Sequence, residues 1–406
     1  MRFNQLRLMP KWQEKLTSDR KLKQPSQLLG RLLCIDYLGG IMSFTKVNIN
    51  PKMFGDLPFE VLRDGELSVS AIRFKSGVDG LKISNSRSSM VVLPYMGMQI
   101  WQLCFDGKDV SQKSMFEEPL ATTKFGDNYG GFLYHCGLNN INGPEAGEAD
   151  YPMHDVLPFA VFDDVYIGIG TDEAGKYLSV GGSYVFRNSQ ELHWAYNPEL
   201  KLYESSTMVE MSARIENRRH SPLEYLWLCH MNWLGCDGSR FVYSCPTDSE
   251  HIQVSAPDEG DGSPRAQKIF EYGKKLVADP TLADVLDSEN QVFDPEMCIN
   301  YKYEADSNGW AHALMERPDG DGFYVSWDMT YAPYALRWFC RTGDEDGVGI
   351  ALPSTGTNRS SAYQRSHGHF NTLESGKSDL ICWRFGKVEG TELQKVEEKI
   401  AKILNN

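Results

Sequence analysis

The 406-residue chain carries 55 acidic against 41 basic side chains, a formal net charge of −14, with 12% aromatic residues and 36 glycines. That balance excludes nucleic acid and an anionic membrane surface as partners, because no clustered basic patch offsets the negative charge. No run approaches the roughly eighteen apolar residues of a membrane span, so a soluble protein of many short strands and tight turns is expected.

Residues 1–41 are richer in basic residues (Arg2, Arg7, Lys11, Lys15, Arg20) than the rest and lack the apolar core of a cleavable signal. They are expected to form an N-terminal extension ahead of one domain spanning 42–406. From Leu67 onward the pattern is strand after strand. Val91–Pro94 and Ile100–Leu103 flank a turn at Gly97, and Phe105-Asp106-Gly107-Lys108 carries the Asp-Gly hairpin signal. Val165–Ile169, Tyr184–Phe186 and Met208–Ala213 continue it, the last with the alternation of a half-buried strand. Leu223–Trp233 is too apolar to be exposed on either face. Helix is expected at Ala266–Ala278 and at the C-terminus, where Leu393, Val396, Ile400 and Leu404 share a face and Thr391 with Gln394 fits a capping box. The fold class is all-β, a large antiparallel β-sandwich with a short C-terminal helix.

Nine cysteines, odd in number and scattered through apolar runs, read as reduced buried thiols and point to the cytoplasm. Two segments hold the chemistry. One runs from His135 through Asn139 to His154 and Asp155, and the other is Leu228-Cys229-His230-Met231-Asn232-Trp233. Each sets imidazole and carboxamide groups beside aromatic rings, a mixture that suits hydroxyls and the C–H face of a sugar. Imidazole is also the side chain best placed to move a proton near neutral pH.

Several pieces, in order, resemble the galactose mutarotase-like (aldose 1-epimerase) superfamily, closest to its bacterial branch of poorly characterised members. They are Pro94–Ile100, Cys136-Gly137-Leu138, Met153-His154-Asp155 with Pro158-Phe159-Ala160, Ile215-Glu216-Asn217, Leu228–Asn232, Ala335–Trp338 and Gly349–Pro353. The resemblance implies a mutarotase-like supersandwich and an isomerase that interconverts sugar anomers. In that chemistry a carboxylate takes the anomeric proton and a histidine protonates the ring oxygen. Carried over, His230 is the acid and His154 a second imidazole holding ring or anomeric oxygens. His135, Asn139, Glu145, Asn232, Arg337 and Asn358 are candidate substrate contacts.

The family's basic glutamate falls at Ala351, and its early Arg and Asp fall at Met96 and Gln99. A methyl group takes no proton. A carboxylate from elsewhere could serve as base, with Asp328, Glu145, Glu148 and Asp150 as candidates and Asp328 equally readable as the partner of Arg337 in a structural ion pair, or the chain could run a different proton transfer on a sugar. The alternative is a sugar-binding or sensing protein without catalysis. His367-Gly368-His369 could face one way on a strand but lacks a third ligand, Gly168-Ile169-Gly170 lacks a following helix, and Asp319–Gly322 lacks a calcium ladder. No metal and no cofactor are expected. The partner is a monosaccharide or sugar derivative, and a homodimer is left open.

Overall fold

The computed structural model describes residues 43–143, 151–255, 257 and 259–405. The expected extension over residues 1–41 and the candidates Glu145, Glu148 and Asp150 lie outside the described residues. Two large sheets stack face to face, and every strand pair in them is antiparallel. The nine-stranded sheet begins at Ser43–Ile49, passes through Leu192–Tyr203, Ser378–Glu389 and Asp321–Asp328, and ends at Arg240–Tyr243. The thirteen-stranded sheet places, as neighbours, Met297–Lys302, Tyr334–Arg341, Asp346–Ser354, Leu223–Met231, Leu133–Leu138 and Gln99–Phe105. The core lies between them. Trp227 of the larger sheet meets Trp383 of the smaller at a ring-centroid distance of 5.1 Å, and Trp233 stacks on Phe323 at 4.6 Å. This is the large antiparallel β-sandwich that the strand pattern predicts.

Local sequence explains the turns that register the sheets. Asp106 and Gly107 both take positive φ (49° and 77°), and Phe105 pairs with Lys108, the geometry of a two-residue hairpin. Gly97 sits at φ 64°, where a Cβ would stand 2.1 Å from the Pro158 carbonyl oxygen. Only glycine permits that approach. Gln99 then donates to the same carbonyl at 2.6 Å, so it fastens two loops together.

Among the described residues, three helices decorate the sandwich. Helix α1 (Pro264–Ala278) is capped by Ser263, whose hydroxyl accepts from the Ala266 amide. Helix α2 (Ser361–Ser366) was not anticipated, because six residues are too few for a periodic signal. Helix α3 (Gly390–Leu404) buries Leu393, Val396 and Ile400 against the smaller sheet, but it starts before Thr391 and has no side-chain cap, so the capping box does not form. Among the described residues no helix is long and apolar enough to cross a membrane.

Candidate functional site

Strand Leu223–Met231 pairs with Leu133–Leu138 so that His230 stands opposite Tyr134 and Cys229 opposite His135. Side chains alternate between faces. Trp227 and Cys229 point into the core, so His230 and Tyr134 point to the outer face of the thirteen-stranded sheet. His230 is 5% exposed there. The Tyr129 hydroxyl lies 3.1 Å from its Nε2 and 3.4 Å from its Nδ1, and also donates to Asn232 Oδ1 at 3.4 Å. The rings of Trp338 and His154 stand edge-on to His230 at 5.2 and 5.6 Å, and Phe125 closes against His154 at 4.5 Å. Two imidazoles thus meet inside an aromatic frame.

His154 reaches this place through an unusual backbone. It and Asp155 have φ of 60° and 64°, the left-handed region that non-glycine residues avoid, at a cost on the order of 1–3 kcal/mol each. The surroundings hold the bend. The His154 amide donates to the Asn142 carbonyl at 3.2 Å, its carbonyl accepts from the Gly137 amide at 3.1 Å, and the Asp155 carboxylate accepts from the amides of Asn139 and Asn140 at 2.6 and 3.3 Å. His154 Nδ1 lies 2.6 Å from the Ile141 carbonyl oxygen. A carbonyl only accepts, so Nδ1 carries the hydrogen and Nε2 keeps its lone pair.

Burial sets the charges. It pushes His154 down to about 4, against the opposing pull of the Ile141 carbonyl. It pushes His230 down to about 3, with His154 adding to the shift and Asn232 opposing it. Both imidazoles are neutral at pH 7. Burial also raises the Tyr129 phenol well above its ordinary value, with the Glu296 carboxylate adding to this, so it stays protonated. Asp155 is pushed up to about 6 by burial, which its backbone amides only partly offset. Glu296 stands at the rim and accepts from the Trp338 indole N–H at 2.6 Å.

The remaining sequence candidates divide by face. Asn232, fully buried, donates to the Gly131 carbonyl at 3.1 Å and so holds the loop that carries Tyr129. Asn139 lends its backbone amide to Asp155. Asn358 lies beside Asn300, which donates to its side-chain oxygen at 2.6 Å. His135, in contrast, points into the core, 2.8 Å from the Tyr196 hydroxyl. Arg337 also points inward. It pairs with Asp284 at 3.0 Å, not with Asp328, and three rings (Phe241, Tyr243, Tyr301) surround its guanidinium at 4.3–4.6 Å. Asp328 closes a strand of the other sheet, on the side away from the core-facing Trp327, and accepts from the Thr330 amide at 2.9 Å. These three side chains do not join the histidine pair.

Ala351 is 1% exposed and lies where pairing slips, with Trp338 opposite Gly349 and Leu336 opposite Leu352. His367 ends helix α2 and stacks on Tyr363 at 3.8 Å, so it and His369 do not share a strand face. Among the described residues no group of three or more His, Cys, Asp or Glu could hold a metal ion.

Sequence reasoning missed Tyr129, Phe125, Trp338, Asp155 and Glu296. Trp338 and Asp155 stood inside motifs already singled out, and an aromatic next to glycines in Asn128-Tyr129-Gly130-Gly131 was the signal for Tyr129.

No family model matches the sequence, and no curated protein matches it. Solved structures do. A proposed aldose 1-epimerase from Klebsiella pneumoniae superposes with a TM-score of 0.75 over 89% of this chain and 96% of that chain, at 16% identity. A galactose mutarotase-like protein from Clostridium acetobutylicum gives 0.53 over 80% of this chain and 100% of that one, at 12% identity. The Slr1438 protein from Synechocystis gives 0.51 over 77% and 96%, at 12% identity. At such identities the likeness is one of fold. The chain has the galactose mutarotase-like fold.

Proposed function

We propose that this chain is an aldose 1-epimerase-like isomerase that interconverts the anomers of a sugar, with His154 moving the proton. The observation that carries the reading is the tautomer of His154, whose Nδ1–H is fixed on the Ile141 carbonyl 2.6 Å away while Nε2 offers a lone pair beside His230. The anomeric oxygen and the ring oxygen are bonded to the same carbon, so one nitrogen can serve both. Nε2 takes the proton of the anomeric hydroxyl. The O–H electrons form the carbonyl, the bond from the anomeric carbon to the ring oxygen breaks, and the ring oxygen takes the proton back from the imidazolium. Rotation about the neighbouring carbon–carbon bond and the reverse sequence give the other anomer. His230, neutral, gives its one N–H to the ring oxygen as charge develops there, while the Tyr129 hydroxyl turns from Asn232 to donate to the other ring nitrogen, a role that neutral imidazole can fill. The scheme needs no carboxylate at Ala351.

The test is anomer exchange measured by NMR on a freshly dissolved sugar. His154→Gln should lower the enzymatic rate by about 10²–10⁴-fold, the usual size of a general acid–base contribution, and His230→Asn should lower it as well. A His154→Gln variant at full speed would refute the assignment. A second reading, a sugar-binding or sensing protein without turnover, is favoured by the absence, among the described residues, of a carboxylate hydrogen-bonded to either imidazole. It predicts binding with no exchange above the uncatalysed rate.

A further inference from the structure

A cavity of about 440 Å³ opens on the same face of the thirteen-stranded sheet as the histidine pair. A Cβ at Gly131 would stand 2.9 Å from the Tyr134 hydroxyl and 3.2 Å from the Trp101 ring, so the two side chains share this face, and Tyr134 is the residue opposite His230. Trp101, Phe74 and Phe116 bring aromatic surface to the cavity. Lys82 and Lys113 are balanced by Asp109 and Glu117, so the lining has no surplus cation for a phosphate or carboxylate ligand. Rings with mixed donors and acceptors and no net charge suit an uncharged saccharide.

The cavity and the histidine pair share a wall. It is the loop from Asn128 to Gly131, which the Tyr134 hydroxyl fixes from below by accepting from the Gly131 amide at 2.7 Å and donating to the Asn128 carbonyl at 2.9 Å. Gly130 lies against the cavity lining, where a Cβ would stand 2.7 Å from Ser114 Oγ and 2.9 Å from both Phe116 and the Trp101 ring. Next to it Tyr129 touches His230. Gln112 lines the cavity and donates to the carbonyls of Tyr129 and Gly131, at 3.0 and 3.2 Å. Neighbouring strands are about 4.8 Å apart, and one strand, Leu133–Leu138, lies between those of Trp101 and His230, so two spacings place them about 10 Å apart, beyond the span of a single pyranose ring.

We infer that this cavity binds an uncharged saccharide unit, so that the chain acts on sugars longer than a monosaccharide or takes a second sugar beside the first. The inference rests on the reading of the histidine pair as a sugar site, and binding and turnover are therefore read separately. Calorimetry uses glucose, galactose, maltose, lactose and maltotriose, with the wild type and with His230→Asn. At least one di- or trisaccharide should bind about tenfold or more tightly than its constituent monosaccharide in both proteins. Phe116→Ala and Trp101→Phe should remove that advantage and leave monosaccharide affinity unchanged. If a second monosaccharide is the ligand instead, glucose or galactose titrations will show two sites, and Phe116→Ala will remove one. One site with equal affinity for mono- and oligosaccharides, variants that weaken both alike, or no binding by any of the five sugars would overturn the inference. Binding in this pattern without anomer exchange would leave the cavity assigned and refute only the isomerase reading.

Discussion

Replacing Asp284 by Asn tests whether Arg337 belongs to the core or to the site. The substitution keeps the shape of the side chain and removes its charge, leaving a guanidinium whose side chain is 1% exposed without its counter-ion. Arginine cannot escape by deprotonating. Burial pulls its pKa down, yet Tyr301, Tyr243 and Asp284 more than offset that and hold it above its ordinary value. Breaking a buried ion pair from one side costs about 3–5 kcal/mol. Asp284 keeps 24% of its side chain exposed, and the three rings still attract the cation, so the lower end, about 3 kcal/mol, is expected. With a urea slope of about 3 kcal/mol per molar, the unfolding midpoint should fall by about 1 M. The double variant Asp284→Asn with Arg337→Met should recover most of the loss, because well-packed apolar groups commonly replace a buried pair at little cost. Sugar binding by the folded variants should be unchanged. An unshifted midpoint, or a stable variant that no longer binds sugar, would contradict a structural role for the pair and return Arg337 to the site.

Two further outcomes follow from burial. Ala351→Glu should not create a base, because it inserts a carboxylate at a position 1% exposed within the main core. We expect a loss of stability of at least about 1–3 kcal/mol from overpacking alone, read by urea unfolding, with no gain in anomer exchange; faster exchange in a stable variant would contradict this. The second outcome is acid lability. His135 and His230 are held near 3 and His154 near 4, against about 6.5 in the unfolded chain. As pH falls below 6.5 the unfolded chain takes up protons that the fold refuses, so stability drops towards pH 4. Asp155, held near 6, works in the opposite sense between about pH 6 and 4. The net of about two protons gives a slope of about 2.7 kcal/mol per pH unit in that window. Urea midpoints that stay constant from pH 6.5 to 4.5 would show these imidazoles to be solvated.

The sheets were largely legible in the sequence, and the site only in part. Alternation and the Asp106-Gly107 turn gave strands and a hairpin close to those observed, because one buried face writes a period of two into the chain. That signal fails where both faces are covered. Leu223–Met231 is buried on each side except at Glu224, so nothing local tells His230 from its neighbours. The same ambiguity put His135 in the site instead of Tyr134, and Arg337 instead of Trp338, each an error of one residue and therefore of one whole face. Asp328 failed for another reason, since which sheet receives a strand is decided by pairings far away in sequence. Tyr129 reaches His230 across 101 residues, a contact that no spacing announces.

The neutral-imidazole mechanism is tested most directly by the pH profile of anomer exchange, followed by NMR between pH 5 and 8 with the uncatalysed rate subtracted. A neutral His154 held near 4 is already in its proton-accepting form throughout that range. A neutral His154 base gives an enzymatic kcat/KM that is nearly flat from pH 8 to 5 and lost in His154→Gln at every pH. A rate that climbs about tenfold per unit as pH falls from 8 would mean that an imidazolium gives the proton, and the neutral-imidazole mechanism would be wrong.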